Sequence, residues 1–151
     1  MIRPDYITGY VDGEGSFLIS FSPRNKLASG LEVRPSFSVS QRIDRCEVLS
    51  LIKSYFGCGS IRYNKSDQTN RFETRSLEHL NKAVIPHFRR YPLLSSKKKD
   101  FELFAQICEK MAKKEHLSPL GLREIINIAL TMNPNGSRRY HLKYLLGKLK
   151  I

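Results

Sequence analysis

The stretch YITGYVDGEGSF, Tyr6 to Phe17, decides how the rest of the chain is read. Ile7, Tyr10 and Val11 recur at helical spacing and Pro4 suits a first helical turn, which predicts a helix from about Arg3 to Gly13 or Gly15. Glycine inside a helix costs about 1 kcal/mol relative to alanine, so Gly9 and Gly13 weaken the segment that holds them. Four residues apart, they share one face, and the missing side chains would let a second helix approach closely. The segment is too short and too polar to span a bilayer, so the implied contact is between helices in water. Asp12 and Glu14 carry a second cost, because both fall at the negative end of the helix dipole. A hard divalent cation held by carboxylate oxygens would reverse that sign, whereas a cap or a surface acid is the plainer alternative.

At 151 residues the chain has the length of one domain, taken as 1–151. Its 26 Lys+Arg against 14 Asp+Glu give a formal charge of +12, which invites a polyanionic partner. A ribosomal or membrane-surface protein would share that charge. Cys46, Cys58 and Cys108 are odd in number, widely spaced and without a CxxC pair, arguing for thiols in a reducing compartment and against a disulfide or zinc framework. No stretch approaches the roughly 20 apolar residues of a membrane span, and the amino terminus lacks the regions of a signal peptide. The expectation is an intracellular protein with no membrane partner, in the cytoplasm or nucleoid, or in an organelle of a eukaryote.

Beyond the opening helix, SFLISFS (16–22) and EVRPSFSVSQ (32–41) alternate as two strands of a hairpin around PRNKLASG. Phe17, Ile19 and Phe21 share one face. Ser20 and Ser22 lie opposite, as do Arg34, Ser36, Ser38, Ser40 and Arg42 on the second strand, with Arg24 in the connection. Asp44 and Glu47 have the spacing of a capping box opening a helix through Leu49, Ile52 and Phe56, which Gly57 is placed to close. A second hairpin, SIRYNK and RFETR about SDQTN, offers Arg62, Arg71 and Arg75 on its outer face. A third helix from Ser76 is expected to stop at Pro86. The order is αββαββα. KKDFELFAQICEKM (98–111) and SPLGLREIINIALTM (118–132) then read as core helices, the latter with Ser118 as N-cap and Pro119 at N1. A basic tail, SRRYHLKYLLGKLK (137–150), closes the chain.

GYVDGEGS within the opening helix resembles the signature of the LAGLIDADG homing endonucleases, in its G-[FY]-V-D-G-[ED]-G-S form. The resemblance continues through FSVSQ, YFGCGSI, IPHFRRYPLLSSKKKDFELF and KEHLSPLGLREIINIALTMN, from about Asp5 to Asn133. The tail resembles single-motif members encoded in ribosomal RNA introns. The resemblance implies an α+β fold in which the αββαββα core carries an antiparallel, saddle-shaped sheet and is followed by carboxy-terminal helices. It implies a Mg²⁺-dependent nuclease, with Mn²⁺ or Ca²⁺ able to occupy the site, that cuts double-stranded DNA at a long pseudo-palindromic target. Glu14 matches the metal-binding acid, with the Gly13 backbone beside it, while Asp12 matches an acid that is structural in the family. Gln41 matches a residue that organises water, Arg45 a basic position after the strand, and Lys97 a lysine that polarises water, with Lys98 or Lys99 as alternatives.

One signature per chain implies a homodimer, with Ile7, Gly9, Tyr10, Asp12 and Gly13 at its interface. Two carboxylates brought within about 5 Å would repel by about 3 kcal/mol at an effective dielectric of about 20, which bound cations would relieve. DNA reading falls to the polar hairpin faces: Ser20, Ser22, Arg24, Arg34, Ser36, Ser38, Ser40, Arg42, Arg62, Arg71 and Arg75. Arg138 and Arg139 of the tail are expected on the DNA backbone. A splicing maturase that binds intron RNA, or a DNA-binding protein without cleavage, would use the same fold.

Overall fold

The computed structural model describes residues 1–134 and 140–150. Helix α1 (Pro4–Glu14) runs into strand β1 (Gly15–Pro23), and strand β2 (Leu31–Arg42) leads through a 3₁₀ turn to α2 (Glu47–Phe56). Strands β3 (Ser60–Asn64) and β4 (Thr69–Thr74) follow, then α3 (Leu77–His79), a π-helical turn (Leu80–Val84) and α4 (Ile85–Arg90). Three helices complete the chain: α5 (Lys97–Ala112), α6 (Pro119–Leu130) and α7 (Leu142–Lys148). The strands form one sheet of order β1-β2-β4-β3, with β4 antiparallel to both β2 and β3. Among the described residues no helix is long and apolar enough to cross a membrane.

The chain divides into two compact units, Met1–Phe17 with Ser36–Lys98, and Leu18–Pro35 with Lys99–Ile151. In the first, Phe37 on β2 is the hub of an aromatic core. Its ring centroid lies 5.2 Å from Phe17, 5.6 Å from Phe88, 5.8 Å from Phe56 and 6.0 Å from Phe72. Register explains the arrangement: Phe37 pairs with Thr74 and Val39 with Phe72, so the apolar parities of β2 and β4 fall on one face. In the second unit, Phe101, Phe104, Ile107 and Cys108 of α5 are buried, as are Leu122, Ile125, Ile126 and Ala129 of α6. Ser118 caps α6 as expected, its Oγ accepting from the Gly121 N–H at 3.0 Å.

Two local expectations are corrected. Asp44 and Glu47 form no capping box: Ile43–Arg45 turn as a 3₁₀ helix, Cys46 becomes the N-cap of α2, and no side chain caps it. Asp44 pairs with Arg42 and Arg45 at 3.6 and 3.8 Å instead. Pro86 does not end its helix, because the wider π-helical turn precedes it and leaves it in the first turn of α4, where a missing N–H costs nothing. Leu145 of α7 is buried, and the Lys150 N–H reaches the Ser29 carbonyl at 3.1 Å, holding the loop between β1 and β2. Gly30 there has φ +85°, and a Cβ would collide with the Lys148 carbonyl.

His87 on α4 ties α1 to α2. Thr8 Oγ1 donates to the Tyr91 carbonyl at 2.9 Å, which spends its only proton. His87 Nε2–H must therefore be the donor to Thr8 Oγ1 at 3.0 Å, leaving Nδ1 to accept from the Tyr55 hydroxyl at 2.9 Å. Burial pushes the imidazole down to about 4. The unfolded chain therefore takes up a proton between pH 6.5 and about 4 that the folded chain refuses. Stability from the neutral ring is whole above pH 6.5 and drains away as pH falls toward 4, by about 3 kcal/mol. Urea unfolding at stepped pH should show that loss in the parent and a flatter profile in His87→Gln. Equal slopes for the two proteins would show that His87 does not refuse the proton.

Candidate active site and nucleic-acid face

Two of the glycines in the opening stretch answer to different needs from the third. A Cβ on Gly15 would sit 2.5 Å from Val11 Cγ1, so the chain needs a glycine to leave α1 and enter β1. A Cβ on Gly9 or Gly13 would meet nothing within 4 Å among the described residues. With exposed Tyr6 and half-buried Tyr10, whose rings stack at 6.1 Å, they form an open face of α1. Ile7 does not belong to that face. It is fully buried in the chain's own core, and the expectation that it meets a partner is corrected.

The two acids separate in role. Asp12 accepts from the Leu94 N–H at 2.8 Å, from the Ser95 N–H at 3.1 Å and from the Ser95 hydroxyl. Partial burial pushes its carboxyl upward, but those hydrogen bonds and the Lys97 charge outweigh it and hold the group below its ordinary value. Asp12 is thus a clamp on the segment before α5. Glu14, the last residue of α1, is exposed, and its carboxylate has no hydrogen bond or ion pair among the described residues.

Lys97 opens α5 and sends Nζ to the carbonyls of Val11 and Asp12, at 2.9 and 3.1 Å. Those carbonyls are among the last of α1, that of Val11 also accepting from the Gly15 N–H, and an ammonium here offsets the dipole that opposed both acids. Lys98 and Lys99 are exposed.

Tyr10, one turn before Glu14, gathers the remaining residues. Burial raises its phenol, the Glu14 charge and Tyr6 raise it further, and a hydrogen bond with Gln41 and the Arg45 charge pull the other way. Gln41 stands on the same parity as Phe37 and Val39, but at the end of β2, opposite Asn70 and past the aromatic core, so it is half exposed. Glu14, Gln41 and Arg45 are thus brought around Tyr10. That tyrosine was expected only at a dimer interface, although its i, i+4 spacing to Glu14 was visible in the sequence.

The donor set fits a hard cation. Glu14 offers carboxylate oxygens at a helix end that supplies carbonyls, including that of Gly13, and no group of three or more His, Cys, Asp or Glu gathers as a cage among the described residues. One carboxylate, with water and phosphate oxygens completing the shell, is how Mg²⁺ is commonly held.

The polar sheet residues divide by unit. In the second, Ser20 Oγ donates to the Arg34 carbonyl at 3.4 Å, Ser22 is half-buried, and Arg24 and Arg34 both pair with Glu32, at 3.0 and 3.1 Å. In the first, Arg62 is exposed, Arg42 pairs with Asp44, and Arg71 and Arg75 both pair with Glu73, at 3.2 and 3.1 Å. Ser40 stays half exposed. Ser36 and Ser38 are corrected: both are buried, Ser36 donating to Glu73 at 2.7 Å and Ser38 accepting from Arg71 at 3.1 Å. Long neighbouring side chains cover these short ones. Arg138 and Arg139 lie outside the described residues. Glu32 and Glu73 were missed, although strand parity alone sets Glu32 beside Arg34 and Glu73 between Arg71 and Arg75.

Known proteins resemble this chain over most of its length. A probable intron-encoded endonuclease 2 of Neurospora crassa is 33% identical over 135 residues, 87% of this chain and 29% of its own length. The chain spans only about a quarter to three tenths of the first such relatives. The crystal structure of the homing endonuclease I-TnaI superposes with a TM-score of 0.89 at 34% identity, covering 97% of both chains. The meganuclease I-SmaMI, bound to cleaved DNA, matches with a TM-score of 0.85 at 32% identity over 91% of this chain and 46% of its own. I-SmaMI has also been seen bound to an uncleaved DNA target in the presence of calcium ions, with a TM-score of 0.86. The family description for LAGLIDADG endonuclease covers residues 7–108, taking in most of α1, the whole sheet and most of α5, and the chain belongs to that family.

Proposed function

We propose that the protein is a homodimeric, site-specific double-strand DNA endonuclease that uses a divalent cation, Mg²⁺ in the cell. The observation that carries this reading is the contrast between the acids of α1: Asp12 is consumed by the chain, while Glu14 is exposed with its carboxylate unengaged. Bound at Glu14, the cation would neutralise charge on a phosphate oxygen and lower the pKa of an attacking water. The chain's own residues orient the rest. Gln41, through its bond to Tyr10, is positioned to hold water near Glu14, and Arg45 adds positive charge where a phosphate would sit. Lys97 keeps the last carbonyls of α1 neutralised, so its contribution is to hold the helix end in place.

The family match at residues 7–108 runs through residues of both compact units, which supports treating 1–151 as one functional domain. The open face at Gly9 and Gly13 supports a second copy there, and the protein is taken to work inside the cell. Purified protein offered a library of duplex sites should produce double-strand breaks at a narrow set of sequences with Mg²⁺, and none with EDTA. Absence of any cut product with Mg²⁺ or Mn²⁺ would reject the reading, and binding of intron RNA without DNA cleavage would replace it with a splicing role.

A further inference from the structure

Two acids sit among the basic residues of the sheet, and each is wedged between two arginines in the same way. Glu32 Oε2 takes Arg24 through Nε at 3.0 Å and Arg34 through Nη2 at 3.1 Å. Glu73 takes Arg75 through Nε at 3.1 Å on one oxygen, and Arg71 through Nη2 at 3.2 Å on the other. The two clusters lie in different compact units and were built from unrelated stretches of sequence. In both clusters one arginine approaches through Nε and the other through Nη2, as hydrogen bonds on one oxygen at Glu32 and as ion pairs on separate oxygens at Glu73.

The chemistry of the pattern differs from that of a free arginine. A lone guanidinium on a DNA-facing surface is drawn to phosphate, which carries the charge and no sequence information. A carboxylate between two arginines cancels one of two positive charges and fixes the plane of each fork. Held by Nε, Arg24 and Arg75 keep both terminal Nη groups without a partner among the described residues. Those are the groups that reach guanine O6 and N7 together, end on. Arg75 also borders an open cavity of about 260 Å³ lined by Ser60, Arg62, Glu73 and His79, so its end is accessible. The Glu32 pairs are exposed and add little to folding stability, whereas the Glu73 carboxylate is 18% exposed and also accepts from Ser36. The Glu32 carboxyl is held below its ordinary value, first by its hydrogen bond from Arg34 and also by Arg24, although partial burial opposes this.

We propose that Glu32 and Glu73 are positioning residues for specificity, each aiming one Nε-held arginine, Arg24 and Arg75 respectively, at a guanine in the DNA target while weakening non-specific attraction to phosphate. The inference rests on the DNA-site reading given above. Base-by-base substitution of the preferred site, measured as binding in Ca²⁺ without cleavage, resolves the two effects. Glu73→Gln should lose about tenfold of its discrimination at one G·C pair and leave other positions unchanged. Its affinity for random duplex should rise several-fold, with a steeper salt dependence by about one charge. Glu32→Gln should do the same at a different pair, and its more exposed side chain protects the test if Glu73→Gln folds poorly. Arg75→Ala should lose the same pair as Glu73→Gln, and the double variant should lose no more. A selective parent whose variants keep the parental profile, or lose discrimination evenly at all positions, overturns this inference alone. A parent with no site preference overturns both it and the function on which it rests.

Discussion

Glu14→Gln is expected to lower DNA cleavage by about a thousandfold or more while leaving site binding within a few-fold of the parent. The amide keeps the shape of the side chain and its oxygen but removes the charge on which a hard cation depends. What makes this substitution informative is the lack of any other occupation for Glu14, whose carboxylate meets no partner among the described residues. Changes at Asp12 or Lys97 would be ambiguous, since these groups hold Leu94, Ser95 and the last carbonyls of α1. At Glu14 the fold should even gain slightly. A negative charge at the carboxy-terminal end of a helix is unfavourable by about 0.3–1 kcal/mol, of which the Lys97 ammonium offsets a part, so its removal should raise the melting temperature by about a degree. The expected signature is therefore paired: a slightly more stable protein that binds its site and does not cut. Parental cleavage rates in Glu14→Gln, measured by gel at saturating Mg²⁺, would take the active site away from α1. A lowered melting temperature would mean that the carboxylate has a structural partner.

Much of this arrangement can be read from residue types, because it rests on two short-range periodicities. Parity places Phe17, Phe37 and Phe72 in one core and Arg71, Glu73 and Arg75 on the other face, and four-residue spacing places Gly9 with Gly13 and Tyr10 with Glu14. What could not be read has a common physical origin in contacts between distant parts of the chain. Asp12 finds its donors at residues 94 and 95, Lys97 caps a helix that ended at residue 14, and Leu145 of the basic tail is buried. The failed capping box at Asp44 is a different case. Its spacing is right, but a 3₁₀ turn moved the helix start to Glu47, and a cap works only relative to the true first turn. Ser36 and Ser38 show a third limit: alternation assigns a face correctly, yet a short side chain among arginines on that face is covered by them.

Gly9→Leu is expected to separate the fold of the chain from its assembly. Among the described residues a Cβ at residue 9 meets nothing within 4 Å, so the larger side chain has room, and replacing a helix glycine should stabilise α1 by about 1 kcal/mol. Two glycines that weaken a helix and have nothing within reach of a Cβ among the described residues are accounted for by the proposed second copy, which would offset the loss. In a two-fold dimer packed through this face each substitution occurs twice, at the point of closest backbone approach. Overpacking at about 2 kcal/mol per site then sums to about 4 kcal/mol, close to a thousandfold in the dimer dissociation constant. Sedimentation should show a monomer where the parent is a dimer, thermal melting should show an intact or firmer subunit, and double-strand cutting should return only at high protein concentration. Gly15→Ala supplies the contrast, since its Cβ collides with Val11 and should destabilise the subunit itself. A Gly9→Leu protein that sediments and cuts like the parent would mean that the open face of α1 is not where two copies meet, and that Glu14 works without a second Glu14 beside it.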